Sequence, residues 1–434
     1  MAIGAFSRTM LTHEARALLA RLALIKPFAL QEPMLPAAAL MPDASVAIDR
    51  FLAAGRRELR RLVRGYLGWL QAPHGETATD EEAQRRFAIL RLKFNVVLAQ
   101  FDTFADVITQ RSENETGVWL SGLDVVAADA LALPDYYEAP PVICYLDRDI
   151  GAAIRRARTR MPGGGENPVA IVRVPRERMI GTGIASSLVH EVGHQAAALL
   201  DLVNSLRPAL RARQREAAPA PFVWKLWERW ISEIVADLWS VARVGIAATL
   251  GLMAVVSLPR AFVFRMNAND PHPMPWIRVK LSAAIGEALY PHPQWRDLSD
   301  AWERFYPRHD MTPQTDAVLD ALQDSMPAFV ALLINHRPRS LRGRSLVEVL
   351  ETRERQPSRL SALYRAWHTT PSDMYRAQPS LVFAVIGQAR SDNQVSPEDE
   401  SKLLCKLLTF WALRATVNMS EMCAASSTAP SRAA

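Results

Sequence analysis

Cysteine is nearly absent. Cys144, Cys405 and Cys423 are the only three in 434 residues, and their odd number and wide spacing exclude a disulfide framework and a Cys-x-x-Cys metal site. Lysine is almost as scarce, six residues against 45 arginines, so the net charge of +6 is carried by arginine scattered along the chain. The dense stretches, Arg56 to Arg64, Arg207 to Arg215 and Arg337 to Arg344, have no aromatics interleaved. Nucleic acid is therefore not expected as a partner. Long apolar runs are missing too. Met1 to Leu40 never forms the continuous segment of a secretory signal. The most apolar run, Gly245 to Pro259, falls short of the roughly 20 residues a spanning helix needs. It is read as a core helix, with a membrane-dipping segment as the lesser alternative, and a cytoplasmic chain without membrane association is the expectation. Pro162-Gly163-Gly164-Gly165 lacks a following Gly-Lys-Ser/Thr, which argues for a connection rather than a phosphate cradle. No internal repeat is present.

A hydrophobic content of 49% allows large cores, and the length suggests two or three domains. Residues 1–117 are helical in pattern: Leu52, Leu59, Leu62, Val63 and Tyr66, then Phe87, Leu90, Phe94 and Val97, recur at helical spacing on either side of a polar loop at Pro73 to Glu82. From Trp119 the texture changes. Pro141 to Tyr145 and Val169 to Val174 are short β-rich runs bounded by proline and glycine. Asn204 to Pro221 reads as a polar connection. Beyond Asp300, Ala317 to Ile334, Ser345 to Glu354, Leu360 to His368 and Ser401 to Val417 are amphipathic helices without chemistry. The expected fold class is α+β and predominantly α. It comprises a helical amino-terminal region (1–117), a core with a small sheet (118–299), a helical carboxy-terminal region (300–423) and a disordered tail (424–434).

The chemistry concentrates in Ser187-Leu188-Val189-His190-Glu191-Val192-Gly193-His194-Gln195. Residues four apart share one face of a helix, so His190 and His194 can hold one ion, and zinc suits two imidazoles. Glu191 lies beside that ion without being needed to bind it, placed to take a proton from water. Leu188, Val192, Ala196, Leu199 and Leu200 make the helix a buried one, where polar groups need partners. The helix Phe222 to Val244 is apolar around most of its circumference, yet it carries Glu233 and Asp237 four apart. A buried carboxylate takes up a proton or finds a partner. Glu233 is accordingly expected as third metal ligand, and Asp237 as the group that orients a ligand imidazole through its distal N–H. Ser232 and Glu228 are the competing candidates on that helix. Two histidines, one carboxylate and a water make an open catalytic Zn2+ site.

With Asp270-Pro271-His272-Pro273 and Arg278 added, the order His-Glu-x-x-His, Glu-x-x-x-Asp, His-Pro resembles the motif set of the gluzincin metallopeptidases. It lies closest to the family of the prenyl-protein peptidases and the membrane heat-shock protease, over roughly Val169 to Leu289. The resemblance implies zinc-dependent hydrolysis of peptide bonds in a protein or peptide substrate. His190, His194 and Glu233 would be the ligands and Glu191 the general base. His272 would bind substrate or stabilise the developing oxyanion, and Arg278 would brace that segment or an acidic neighbour. Taken alone, His272 between prolines reads as a turn residue. If the strand at Val169, Ala170, Ile171 and Val172 lies at a sheet edge, its backbone can hold an extended peptide. The rival reading is a zinc-binding interaction protein without catalysis. Glu191 favours the enzyme, because a structural site needs no general base.

Overall fold

The computed structural model describes residues 2–25, 34–147, 151–161, 164–175, 181–216, 221–267, 270–350 and 352–428. The chain is mostly helical with one three-stranded sheet, as expected. It divides into two compact units. The first comprises residues 1–121, 156–170 and 415–434, and the second residues 122–155 and 171–414. Residues 300–414 thus belong to the same unit as the His-Glu-x-x-His helix.

The first unit is built on α1 (Ala5–Leu24), α2 (Pro42–Gln71), α3 (Pro73–Thr77) and α4 (Asp80–Thr109), followed by α5 (Asn114–Leu131), which runs on into the second unit. Thr79 caps α4 by accepting the Glu82 N–H, and Asp80, Glu81 and Glu82 place negative charge at its amino-terminal end. Tyr66 on α2 buries its ring 5.7 Å from that of Phe87 and donates its hydroxyl to the Ala83 carbonyl on α4. The helical reading of this region holds, and α4 begins inside the stretch read as a loop.

The second unit carries β1 (Val142–Asp147), β2 (Ala153–Arg155) and β3 (Ala170–Pro175), then α6 (Thr182–Leu199), α7 (Leu202–Glu216), α8 (Pro221–Val244) and α9 (Ile246–Val256). It continues with α10 (Arg260–Val263), α11 (Pro275–Leu289), α12 (Gln294–Phe305), α13 (Pro313–Asn335), α14 (Leu346–Val349), α15 (Pro357–Thr369), α16 (Pro371–Arg376), α17 (Pro379–Ser391) and the first part of α18 (Pro397–Thr428). Helix α8 is the central element, packed on α6, α7, α9, α11 and α17. Its Trp227 is fully buried, stacks on Phe329 of α13 at 4.5 Å and 9°, and donates its indole N–H to Ser325. Trp239 donates to the Ala130 carbonyl at the end of α5. Glycine allows the sharp junction that follows, since Gly245, at φ 59°, lies between α8 and α9.

Several expectations are corrected. The sheet order is β1-β3-β2, with β3 antiparallel to β2 (Ala153 opposite Arg173, Ile154 opposite Val172, Arg155 opposite Ile171). The strand read at Val169 to Val174 is therefore central, flanked on both sides, and an extended peptide cannot add to it. Asn204 to Pro221 is largely helix α7. Leu202, Leu206 and Leu210 recur four apart and are buried, and that apolar row carries the helix through Pro208. At Ser345 to Glu354 the expected helix is broken into the single turn α14, closed by a capping box between Ser345 and Glu348, and a 3-10 turn at Thr352–Arg355. Helix α18 runs to Thr428, past the expected start of the tail at residue 424, and 429–434 lie outside the described residues, as do Pro162 and Gly163 of the glycine run. Among the described residues one helix, α13, is long and apolar enough to cross a membrane by length and composition. Its Leu319, Leu322, Met326, Phe329, Val330 and Leu333 are buried within the unit. The run at Gly245 to Pro259 is helix α9, which packs on α6, α8 and α17 as a core helix.

Candidate metal centre

Four segments bring the site together. Helix α6 supplies His190, Glu191 and His194; α8 supplies Glu233 and Asp237; the loop before α11 supplies Asp270 and His272; and α11 supplies Arg278. The two long helices cross closely because residue 193 is glycine. A Cβ there would sit 3.1 Å from the Cα and carbonyl oxygen of Ala236 and from the Cβ of Trp239. At that crossing one donor atom from each of His190, His194 and Glu233 lies within 4.8 Å of the others. His190 Nε2 is 3.3 Å from Glu233 Oε2, and His194 Nε2 is 3.4 Å from Glu233 Oε1. Both imidazoles thus turn Nε2 toward the same carboxylate.

The outer nitrogens are held from behind. His190 Nδ1 lies 2.8 Å from Asp237 Oδ1, close in distance but too bent for a well-aligned hydrogen bond. Asp237 is in turn gripped by both arms of the Arg278 guanidinium, Nε at 2.8 Å and an Nη at 2.9 Å. The same Nη lies 3.4 Å from Glu233 and 3.5 Å from His190 Nε2. His194 Nδ1 has the Ser232 hydroxyl at 3.5 Å, so Ser232 borders the site beside Glu233. Glu228, the other competing candidate, faces away and accepts from Arg211 and Gln214. His272 points its Nε2 to within 3.4 Å of Glu233, while its Nδ1 and backbone N–H contact Asp270 Oδ1 at 2.8 and 3.0 Å. Val169 to Val172, the expected peptide-binding stretch, is buried in and next to the central strand and contributes no such edge.

The electrostatics fit a divalent cation. Glu191, Glu233 and Asp237, each 8% exposed, face one guanidinium, which leaves two negative charges when both imidazoles are neutral. A buried imbalance of that size needs compensation. Without an ion it falls on His190: burial alone would depress its pKa, but the Asp237 and Glu233 carboxylates raise it to about 9. Burial and the neighbouring His190 charge push His194 down to about 4, so it is held neutral, as a ligand must be. Glu233, although buried, is held ionised at about 2 by His190 and Arg278. Asp237, also against its burial, is held ionised by Arg278 and His190. Glu191 alone among these carboxylates is raised, chiefly by burial. Two imidazole nitrogens and one ionised carboxylate form a donor set that could hold a metal ion.

Beside this cluster lies a cavity of about 300 Å³ that shares His272 and Arg278 with it. Its walls come from α8, α9, α10 and the loop to α11, and neither those walls nor Asp270 emerged from sequence reading. Asp270 had a faint signal in its position two residues before His272. The cavity had none, because its lining mixes apolar and polar residues in no regular spacing, from Val256 to Arg278 with Trp230 of α8. Comparison of the chain with protein-family models, with curated proteins and with solved structures finds no match.

Proposed function

We propose that the protein is a zinc-dependent peptidase of the gluzincin kind, with His190, His194 and Glu233 as ligands. The observation that carries this reading is the pairing of a three-donor cluster with a buried carboxylate, Glu191, that has no metal-binding task and an upward-shifted pKa. A purely structural site would gain nothing from it. When bound, the ion would polarise a scissile carbonyl and acidify water. Glu191 takes the water proton and passes it to the leaving amine, work suited to a carboxylate with a raised pKa. Asp270 orients His272, whose Nε2 faces the cluster where the oxyanion would develop. Arg278 and Asp237 hold His190 in register. Among the described strands β2 is an edge that packs against α6. An extended substrate would pair with Ala153 to Arg155 and not with the central strand.

The test is metal content and peptide cleavage in the native chain, Glu191→Gln and His194→Ala. The expected result is one zinc in the native chain and in Glu191→Gln, zinc lost from His194→Ala, and cleavage lowered at least 10²-fold in Glu191→Gln. Stoichiometric zinc with no cleavage of any peptide in a diverse library would replace the peptidase with a zinc-binding interaction protein. No zinc uptake would remove both.

A further inference from the structure

Helix α1 is apolar along two opposite faces, and its own unit uses only one of them. Leu11, Ala15, Leu18 and Leu22 are buried, and the helix packs on α2 and α4. On the other side Phe6, Met10, His13, Ala17, Ala20 and Leu24 form a second row. Every member is exposed, Phe6 at 81%, Met10 at 47% and Leu24 at 76%. A surface helix ordinarily turns polar side chains to that side, and an apolar row left there marks a docking face.

The spacing of the row says what docks. Its members are separated by 4, 3, 4, 3 and 4 residues, the alternation of a coiled-coil seam. The series reads the same from either end, with its midpoint at residue 15. A second α1 laid antiparallel about that midpoint brings Phe6 to Leu24 of the second copy, Met10 to Ala20 and His13 to Ala17. In the inner layers each long side chain then faces an alanine, which fills the seam evenly. A parallel pair would set Met10 on Met10 and leave only alanine on alanine at positions 17 and 20, with a void between them. At 1.5 Å per residue the 20-residue helix is about 30 Å long and 10–12 Å across. Such a contact falls short of the roughly 1,600 Å² of a standard interface, so it suits a reversible dimer and not an obligate one. Glu14 comes close to its own counterpart beside the axis, a like-charge contact that also limits affinity.

We propose that the exposed row of α1 is a self-association surface, on which a second copy of this chain docks antiparallel to form a two-fold dimer. The dimer needs nothing from the metal cluster, so it stands or falls apart from the peptidase reading.

The experiment is sedimentation of the full-length chain from micromolar to submillimolar concentration. The mass should rise with concentration toward that of two chains. Met10→Glu and Ala17→Glu, at exposed positions where folding is not at risk, should each raise the midpoint concentration at least tenfold with unchanged far-ultraviolet circular dichroism. Glu14→Ala should lower it severalfold. Leu92→Glu, in the exposed apolar row Ile89, Leu92 and Val96 of α4, should leave it unchanged. Orientation is read by double electron–electron resonance from a nitroxide on Ala5→Cys in a chain carrying Cys405→Ser and Cys423→Ser, Cys144 being buried. Antiparallel pairing sets the two labelled sites 20 residues apart along the axis, about 30 Å, where a parallel pair would hold them about 10 Å apart. A monomer across the whole range, an undiminished dimer in Met10→Glu and Ala17→Glu, or the short distance at position 5 would each overturn the surface.

Discussion

At the scale of the residue, Asp237 and Arg278 are bound into the cluster as closely as its three donor residues. An imidazole on a helix can rotate, and a metal site needs it fixed. Asp237 Oδ1, 2.8 Å from His190 Nδ1, holds the ring by charge and close contact, and the Arg278 fork keeps Asp237 charged and in place. Asp237→Asn should lower zinc affinity 10- to 100-fold with little change in the far-ultraviolet circular dichroism. A competitive zinc titration measures this, and unchanged affinity would show that His190 needs no support. Arg278→Lys should not preserve the native affinity, since an ammonium cannot hold both carboxylate oxygens in the fork geometry. The pairs His190 with His194 and Glu233 with Asp237 were legible because paired spacings of four on buried helices leave few alternatives, whereas Arg278 came only through the order of motifs. His272 was legible only through the order of motifs, and its partner Asp270 hardly at all, since a loop carboxylate next to proline has many bland explanations.

At the scale of the element, the site is a crossing of two helices, and Gly193 sets the depth of that crossing. The two intervening positions of the His-Glu-x-x-His motif are Val192, which is buried, and Gly193, where any Cβ would meet the α8 backbone at 3.1 Å. Backbone atoms cannot move aside as a flexible side chain would. Gly193→Val should therefore push α6 off α8, cost about 1–3 kcal/mol, and weaken zinc binding by separating Glu233 from the histidines. Urea unfolding and the same zinc titration would show both effects. A variant with native stability and native affinity would mean that the helices are not so closely apposed. Helices α6, α8 and α9 were foreseen from their apolar periodicity. Helix α7 was not, because proline and arginine content obscured three leucines spaced by four. The central place of β3 was not legible either, since β2 is only three residues long and gives no pattern of its own.

At the scale of the whole molecule, the excess of buried carboxylates in the cluster leads to the prediction that folding of the second unit is sensitive to metal. An ion that binds only the folded form stabilises it by mass action, by about 4 kcal/mol when free zinc is a thousand times Kd. Adding a chelator should lower the Tm of the unit comprising residues 122–155 and 171–414. Hydrogen exchange should place the lost protection at α6, α8 and α11, with α2 and α4 unaffected. Equal melting with and without zinc would contradict a metal site at this crossing. The carboxy-terminal helices belong to this balance. Helix α17, with Val382, Phe383, Val385 and Ile386 all buried, packs on both α8 and α9. Residues 300–414 therefore lie in the same unit as α6 and α8, and α17 packs on α8 and α9.

The sequence by itself determined the two helices that carry the cluster and which of their residues share a face, because the 3.6-residue period converts spacing into a shared face without reference to anything distant. It also determined that Glu233 and Asp237 had to find positive partners, since burial of a carboxylate is costly wherever it occurs. Only the tertiary structure decided which strand is the edge, how Asp270 and Arg278 reach the cluster, and that apolar residues from α8, α9, α10 and the loop before α11 enclose a cavity. Those outcomes arise from contacts between residues far apart in the chain, where apolar side chains of similar size are interchangeable in pattern and only packing assigns each one its neighbour.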